Sequence, residues 1–115
     1  MVLYDSDSLR ELAADLKRLG YVFEATKSPI AEEGLRRTQQ LFAIEADINS
    51  KAAELRLAQR QAQSVPLLDG LHVWYSEQRR RLSSKSTLGK ALQYALSRWD
   101  ALTRYTTDGS RDVCP

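Results

Sequence analysis

A chain of 115 residues has room for one domain and one modest core, which excludes a large multidomain enzyme. Its composition, 43% hydrophobic and 28% charged with 5 Gly and 3 Pro, excludes disorder over most of the length. The net charge of +2 hides an uneven distribution: residues 1–50 hold six Lys/Arg against nine Asp/Glu, and residues 51–104 hold ten against four. A basic second half suits a polyanion, and it equally suits a solvated helix surface with interspersed charges.

The apolar runs are only a few residues long, too short for a transmembrane span, and Met1 is not followed by a signal-peptide pattern. The expected compartment is therefore the cytoplasm. The single cysteine, Cys114, allows neither an internal disulfide nor a cysteine-ligated zinc site within one chain.

Leu9, Leu12, Ala13, Leu16 and Leu19 recur at helical steps, which predicts a helix over about residues 8–19. Ser8 and Glu11 have capping-box spacing, and Gly20 suits a helix end. Residues 21–27 read as a connector. A second helix starts at Ser28-Pro29, with Glu32 and Glu33 facing the positive end of its dipole, and runs to Asn49-Ser50. Its apolar stripe, Ile30, Leu35, Thr38, Leu41, Phe42 and Ile48, is interrupted by Glu45, which is expected to be partly exposed or paired with an arginine.

Ser50 is the expected cap of a third helix carrying Leu55, Leu57, Ala58 and Ala62. Pro66 predicts a break or kink near residues 63–66, after which Leu67, Leu68, Leu71, Trp74 and Tyr75 continue the pattern to about Arg81-Leu82. From a cap at Ser86, Leu88, Ala91, Leu92, Ala95, Leu96, Trp99, Leu102 and Tyr105 predict one long C-terminal amphipathic helix of about five turns, stopped at Asp108-Gly109. Residues 110–115 read as a disordered tail. No period of two persists, so the expected fold class is all-α: a small helical bundle of about four to five helices with short loops.

Candidate chemistry is sparse. His72 is the only histidine and lies mid-helix, so a nucleophile–histidine site would rest on it alone; a structural or surface role is expected. The pairs Glu32/Glu33 and Glu45/Asp47 are too close in sequence to point into one site on a helix. The sharpest feature is Arg79-Arg80-Arg81 with Lys85 and Lys90, suited to phosphate oxygens through guanidinium forks. The competing account is that cations at a helix C-terminus complement its dipole. Trp74, Tyr94 and Trp99, at helical spacing, are expected in the core rather than as base-stacking platforms.

Ser28-Pro29-Ile30-Ala31-Glu32-Glu33-Gly34-Leu35-Arg36-Arg37 and Leu41-Phe42-Ala43-Ile44-Glu45-Ala46-Asp47-Ile48 resemble the region after the second catalytic aspartate in transposases of the insertion sequence 66 family. The likeness continues in order through Arg60-Gln61, Pro66-Leu67-Leu68-Asp69, Trp74, Lys85-Ser86-Thr87-Leu88, Tyr94-Ala95-Leu96-Ser97-Arg98-Trp99 and Ala101-Leu102-Thr103-Arg104-Tyr105 to Asp108-Gly109. It covers residues 28–109, leaving 1–27 as a helix and connector of uncertain origin and 110–115 as the tail.

The resemblance implies DNA transposition by a DDE-type recombinase, whose three acids hold two Mg²⁺ ions for phosphoryl transfer. None of Glu45, Asp47 and Asp108 matches a member of that triad, and Ser110 to Pro115 depart from the family's continuation toward its catalytic glutamate. The expectation is a truncated, catalytically inactive copy without catalytic or metal residues. Its DNA-contact candidates are Arg79, Arg80, Arg81, Lys85 and Lys90. Its expected partners are DNA, an intact transposase or a second copy, through an apolar face made by Leu88, Leu92, Leu96, Trp99 and Tyr105. The alternative is a small helical dimerisation module without DNA binding.

Overall fold

The computed structural model describes residues 7–107, and every regular element among them is helical. The expectations for Asp108-Gly109, for residues 110–115 and for Cys114 fall outside the described residues. Helix α1 spans Asp7–Thr26 and α2 Pro29–Ile48. Helix α3, Ala53–Gln59, passes through a π-helical turn, Arg60–Ser64, into α4, Val65–Arg81. Helices α5, Thr87–Ser97, and α6, Trp99–Thr103, follow, and a 3₁₀ turn, Arg104–Thr107, is the last described element.

Two caps form as the sequence predicts. Ser28 Oγ accepts from the Ile30 and Ala31 amides at the start of α2, and Ser86 Oγ accepts from the Gly89 amide at the start of α5. The capping box at Ser8 and Glu11 does not form. Ser8 is buried and instead joins the two ends of the fold: its Oγ donates to Leu102 O at 2.8 Å and accepts from the Tyr105 amide at 3.0 Å. Glu11 accepts two hydrogen bonds from Arg98, at 2.6 and 3.1 Å.

The first helix does not stop at Gly20. It continues through Val22, which is buried, so tertiary packing outweighs the cost of about 1 kcal/mol for glycine in a helix interior. The predicted connector is therefore helix, and the left-handed residue that ends it is Lys27, with φ 53°. Gly34 lies where α1 meets α2, and a Cβ there would sit 3.2 Å from Leu19 Cδ1, so that the leucine would have to shift by a few tenths of an ångström.

Around Pro66 the chain does not break. Ser64 and Val65 keep right-handed helical angles, and the Val65 amide donates to Arg60 O, five residues back. The wider π turn leaves room for a residue with no amide to give. Ser50 does not cap α3; Ala52 occupies that position without a side-chain cap. The stripe of Leu55, Ala58 and Ala62 faces solvent, and the buried positions are Arg56, Arg60 and Ser64. A charged inner face gives no apolar periodicity to read. Its centre is Arg60, whose guanidinium donates to both carboxylate oxygens of Glu45 at 2.8 and 2.5 Å, with side chains 1% and 4% exposed. Glu45 is thus paired with an arginine, in the interior.

The single long C-terminal helix is also replaced. Arg98, at φ −112° and ψ 20°, interrupts it, and α6 turns so that Leu102 and Tyr105 pack into the core beside α1. Leu88, Leu92 and Tyr105 are buried, with Leu96 and Trp99 packed against the same core. The apolar face expected to remain exposed is covered by the chain itself.

Removing one member of the interior ion pair should cost far more than removing both, because a lone buried charge is left behind. Arg60→Met is expected to lose about 3–5 kcal/mol of stability in urea unfolding, and the double substitution Glu45→Leu with Arg60→Met markedly less. Equal losses in the two variants would contradict the pairing.

Candidate nucleic-acid interface

The C-terminal turn of α4 carries Arg79, Arg80 and Arg81, and the helix stops where Leu82 becomes extended, φ −103° and ψ 150°. Two serines then brace the reversal. Ser83 Oγ accepts from the Lys85 amide, the Ser86 amide and Oγ both donate to Ser83 O, and Ser86 goes on to cap α5. Gly89 lies against this turn: a Cβ there would meet Ser83 O at 2.4 Å. The tight reversal brings α5 back beside the end of α4.

Between them lies a groove of about 600 Å³ lined by Arg79, Arg80, Lys90, Gln93, Tyr94 and Ser97 along with the turn residues. Among the described residues no acidic side chain lines it. Of the five basic candidates, the structure brings Arg79, Arg80 and Lys90 together; Arg81 and Lys85 are exposed but do not line the groove. The helix dipole accounts for arginines on the last turn of α4. It does not account for Lys90 facing them from the next helix, whose contribution arises from the reversal.

Tyr94 was expected in the core and is not there. Its ring is 44% exposed, with the Arg18 guanidinium 4.1 Å and the Arg98 guanidinium 5.6 Å from its centroid. Trp74 and Trp99 are half-buried against the core, as expected. His72 is exposed, with its ring edge on Trp99 at 5.0 Å.

Elsewhere the titratable groups are bound up in the scaffold. Glu33 holds Arg36 and Arg37, and these hydrogen bonds keep its carboxyl below the ordinary range. Asp15, 2% exposed, accepts from the Tyr75 hydroxyl at 3.3 Å and faces Arg18. Burial pushes Asp15 up to about 6, against the opposing pull of Arg18 and Tyr75. Burial, aided by the Asp15 charge, raises the Tyr75 phenol, and burial with the Glu45 charge raises that of Tyr105. Among the described residues no three His, Cys, Asp or Glu side chains come together to hold a metal ion. Glu45 is tied to Arg60, and Asp47 points to solvent, so these donors do not fit the two-cation centre that the resemblance implies.

The described residues define an all-helical fold with a cleft lined by Arg79, Arg80 and Lys90. The chain belongs to the transposase IS66 family, which it matches over residues 14–113. It is similar to three proteins of Sinorhizobium fredii (strain NBRC 101917 / NGR234). Uncharacterized protein y4hP is 38% identical over 92% of this chain. Uncharacterized protein y4jD is 32% identical over 80%, and uncharacterized protein y4qI 31% over 91%. The chain spans 18% of the length of each of these relatives. No solved structure matches. No helix among the described residues is long and apolar enough to cross a membrane.

Two outcomes follow from this geometry. Gly89→Ala should destabilise by about 1–3 kcal/mol, because a backbone oxygen must move to admit the methyl group. Gly70→Ala, in α4 with nothing within 4 Å of the new Cβ, should instead stabilise by about 0.5–1 kcal/mol. Urea melts of the two variants read the contrast, and a neutral Gly89→Ala would mean the turn is loose.

Asp15 releases its proton near 3.8 when unfolded and near 6 when folded, so between these values the native state binds more protons. Its contribution to stability is full below about pH 4 and is lost as pH rises through 6, by about 3 kcal/mol in all. Asp15→Asn should remove this fall. Identical pH profiles for the variant and wild type, measured from pH 4 to 8, would contradict the assignment.

Proposed function

We propose that this chain is a phosphate-binding helical segment of a DNA transposition protein, which contacts the DNA backbone through the groove between α4 and α5 and does not cut DNA by itself. The observation that carries the reading is the convergence of Arg79, Arg80 and Lys90 on one cleft with no lining carboxylate. Guanidinium forks match phosphate oxygens in pairs, and an ammonium adds a mobile point charge. Such contacts position a duplex without reading its sequence. Arg81 and Lys85, on the exposed edge of the same reversal, add attraction at longer range.

Membership of the transposase IS66 family supports DNA as the polyanion. Phosphoryl transfer through Mg²⁺ belongs, on this reading, to acidic residues that do not occur in the matched motifs of this chain. The scattered placement of Asp15, Glu45 and Asp47 supports the same conclusion. The dimerisation alternative loses its motive, since the stripe that was to form the interface is packed inside.

Affinity for duplex DNA should fall steeply with salt, because each neutralised phosphate releases counterions. Changing Arg79, Arg80 and Lys90 together to Gln is expected to flatten the slope of log affinity against log salt by about 2–3. Arg81→Gln with Lys85→Gln should do less. With Mg²⁺ and element-end DNA the protein is expected to leave both strands intact on a denaturing gel. A salt-independent affinity rejects the phosphate contacts, and cleavage rejects the inactivity.

A further inference from the structure

A second groove, of about 520 Å³, opens where α1 meets α5 and α6. Its walls carry Arg10, Arg18, Arg98 and Arg104 with one acid, Glu11, and it shares Tyr94 with the groove already described. We propose, resting on the DNA reading above, that the two grooves form one track for a continuous nucleic-acid backbone, with Tyr94 as its fixed midpoint.

Charge is the first argument. The two grooves together are lined by seven Arg/Lys and one Glu, a net +6. Residues 7–107 hold 16 Lys/Arg and 12 Asp/Glu, so among the described residues outside the grooves nine cations face eleven acids, a net −2. An almost neutral chain has therefore gathered its positive charge on one path, drawing Arg10 and Arg18 from its acidic half.

Geometry is the second. Lys90, Tyr94 and Arg98 follow one another at four-residue steps along α5 and its C-cap, which sets them on one face. From Lys90 to Arg98 is about 12 Å at the helical rise, the length of about three to four base-pair steps along a duplex axis. One backbone can thus touch both grooves.

Tyr94 is the third. With guanidiniums 4.1 and 5.6 Å from its ring centroid, it is occupied as a support for Arg18 and Arg98 rather than open as a platform for a base. Arg98 donates two hydrogen bonds to the Glu11 carboxylate, which hold it further in place. Cations fixed in this way lose little freedom on meeting phosphate, and the track recognises backbone without base preference.

The test is fluorescence anisotropy with a labelled random-sequence duplex between 50 and 300 mM KCl, on folded variants checked by circular dichroism. Arg10→Gln with Arg104→Gln should lower the salt slope by about 2, as should Arg79→Gln with Arg80→Gln, and all four substitutions by about 4. Arg36→Gln with Arg37→Gln, on α2 and outside both grooves, should leave the slope unchanged. A loss confined to the Arg79 and Arg80 pair overturns the joined track while the DNA reading survives. A slope lowered equally by the Arg36 and Arg37 pair means diffuse attraction and also overturns the track. Absence of binding by wild type removes the DNA reading and the track together. Displacement of the duplex by inorganic phosphate below 1 mM would mark a small-anion site, again overturning the track.

Discussion

The ion pair between Glu45 and Arg60 is the constraint on which much of the architecture rests. It fastens α2 to the π turn in the interior, where neither charge has bulk water as an alternative partner. Tyr105 lies over the same guanidinium, 5.4 Å from ring centroid to charge, and the neighbouring Gln61 side chain donates to Thr106 O. The C-terminal 3₁₀ turn is thereby set against the middle of the chain. From there its Tyr105 amide meets Ser8 on α1, and the sequence ends of the described fold are brought together. Arg98 and Arg104 occupy one side of the second groove because this closure places them beside Arg10 and Arg18.

Local chemistry was legible in the sequence wherever a side chain acts on its own backbone. Ser28 and Ser86 cap as expected, since a hydroxyl two or three residues from an orphan amide needs no distant partner. Ser8 has the same local signal and a different fate, because the carbonyl of Leu102 competes for it from across the fold. Gly20, Pro66 and Arg98 are misread for one common reason. Gly and Pro carry local costs of about 1 and 3 kcal/mol in a helix interior, which burial of Val22 outweighs and the widened π turn relieves, whereas Arg98 favours helix and yields to the packing of α6 on α1. Inner faces were recognised by apolar spacing, which fails at Arg56, Arg60 and Ser64, where the buried side chains are polar.

The cationic cleft was half legible. Arg79, Arg80 and Arg81 announce themselves as a run, and Lys90 follows within one turn of the reversal. Nothing in the sequence separates Arg79 and Arg80 from Arg81, since the distinction is which side of α4 faces α5. Arg10 and Arg18 escape notice in a segment that is acidic on average, and only the packing of α1 beside α5 and α6 reveals what they join. Charge averaged along sequence and charge averaged over surface are different quantities, and a ligand meets the second.

That difference bears on the proposed reading, in which a chain with a net charge of only +2 attracts a polyanion. At physiological ionic strength screening acts over about 8 Å, so a phosphate approaching the grooves feels the cations lining them and little of the acids on the far side. Grouping also makes the cations act in concert, since neighbouring guanidiniums repel one another and bound phosphate relieves that repulsion. The helices must supply the stability that this crowding costs. They do so partly through Glu11, which pairs with Arg98 on the wall of the second groove, and through Tyr94, whose ring attracts the guanidiniums of Arg18 and Arg98. The arrangement keeps the positive surface concentrated in the free protein, where a uniformly mixed surface of the same composition would offer a polyanion almost no field.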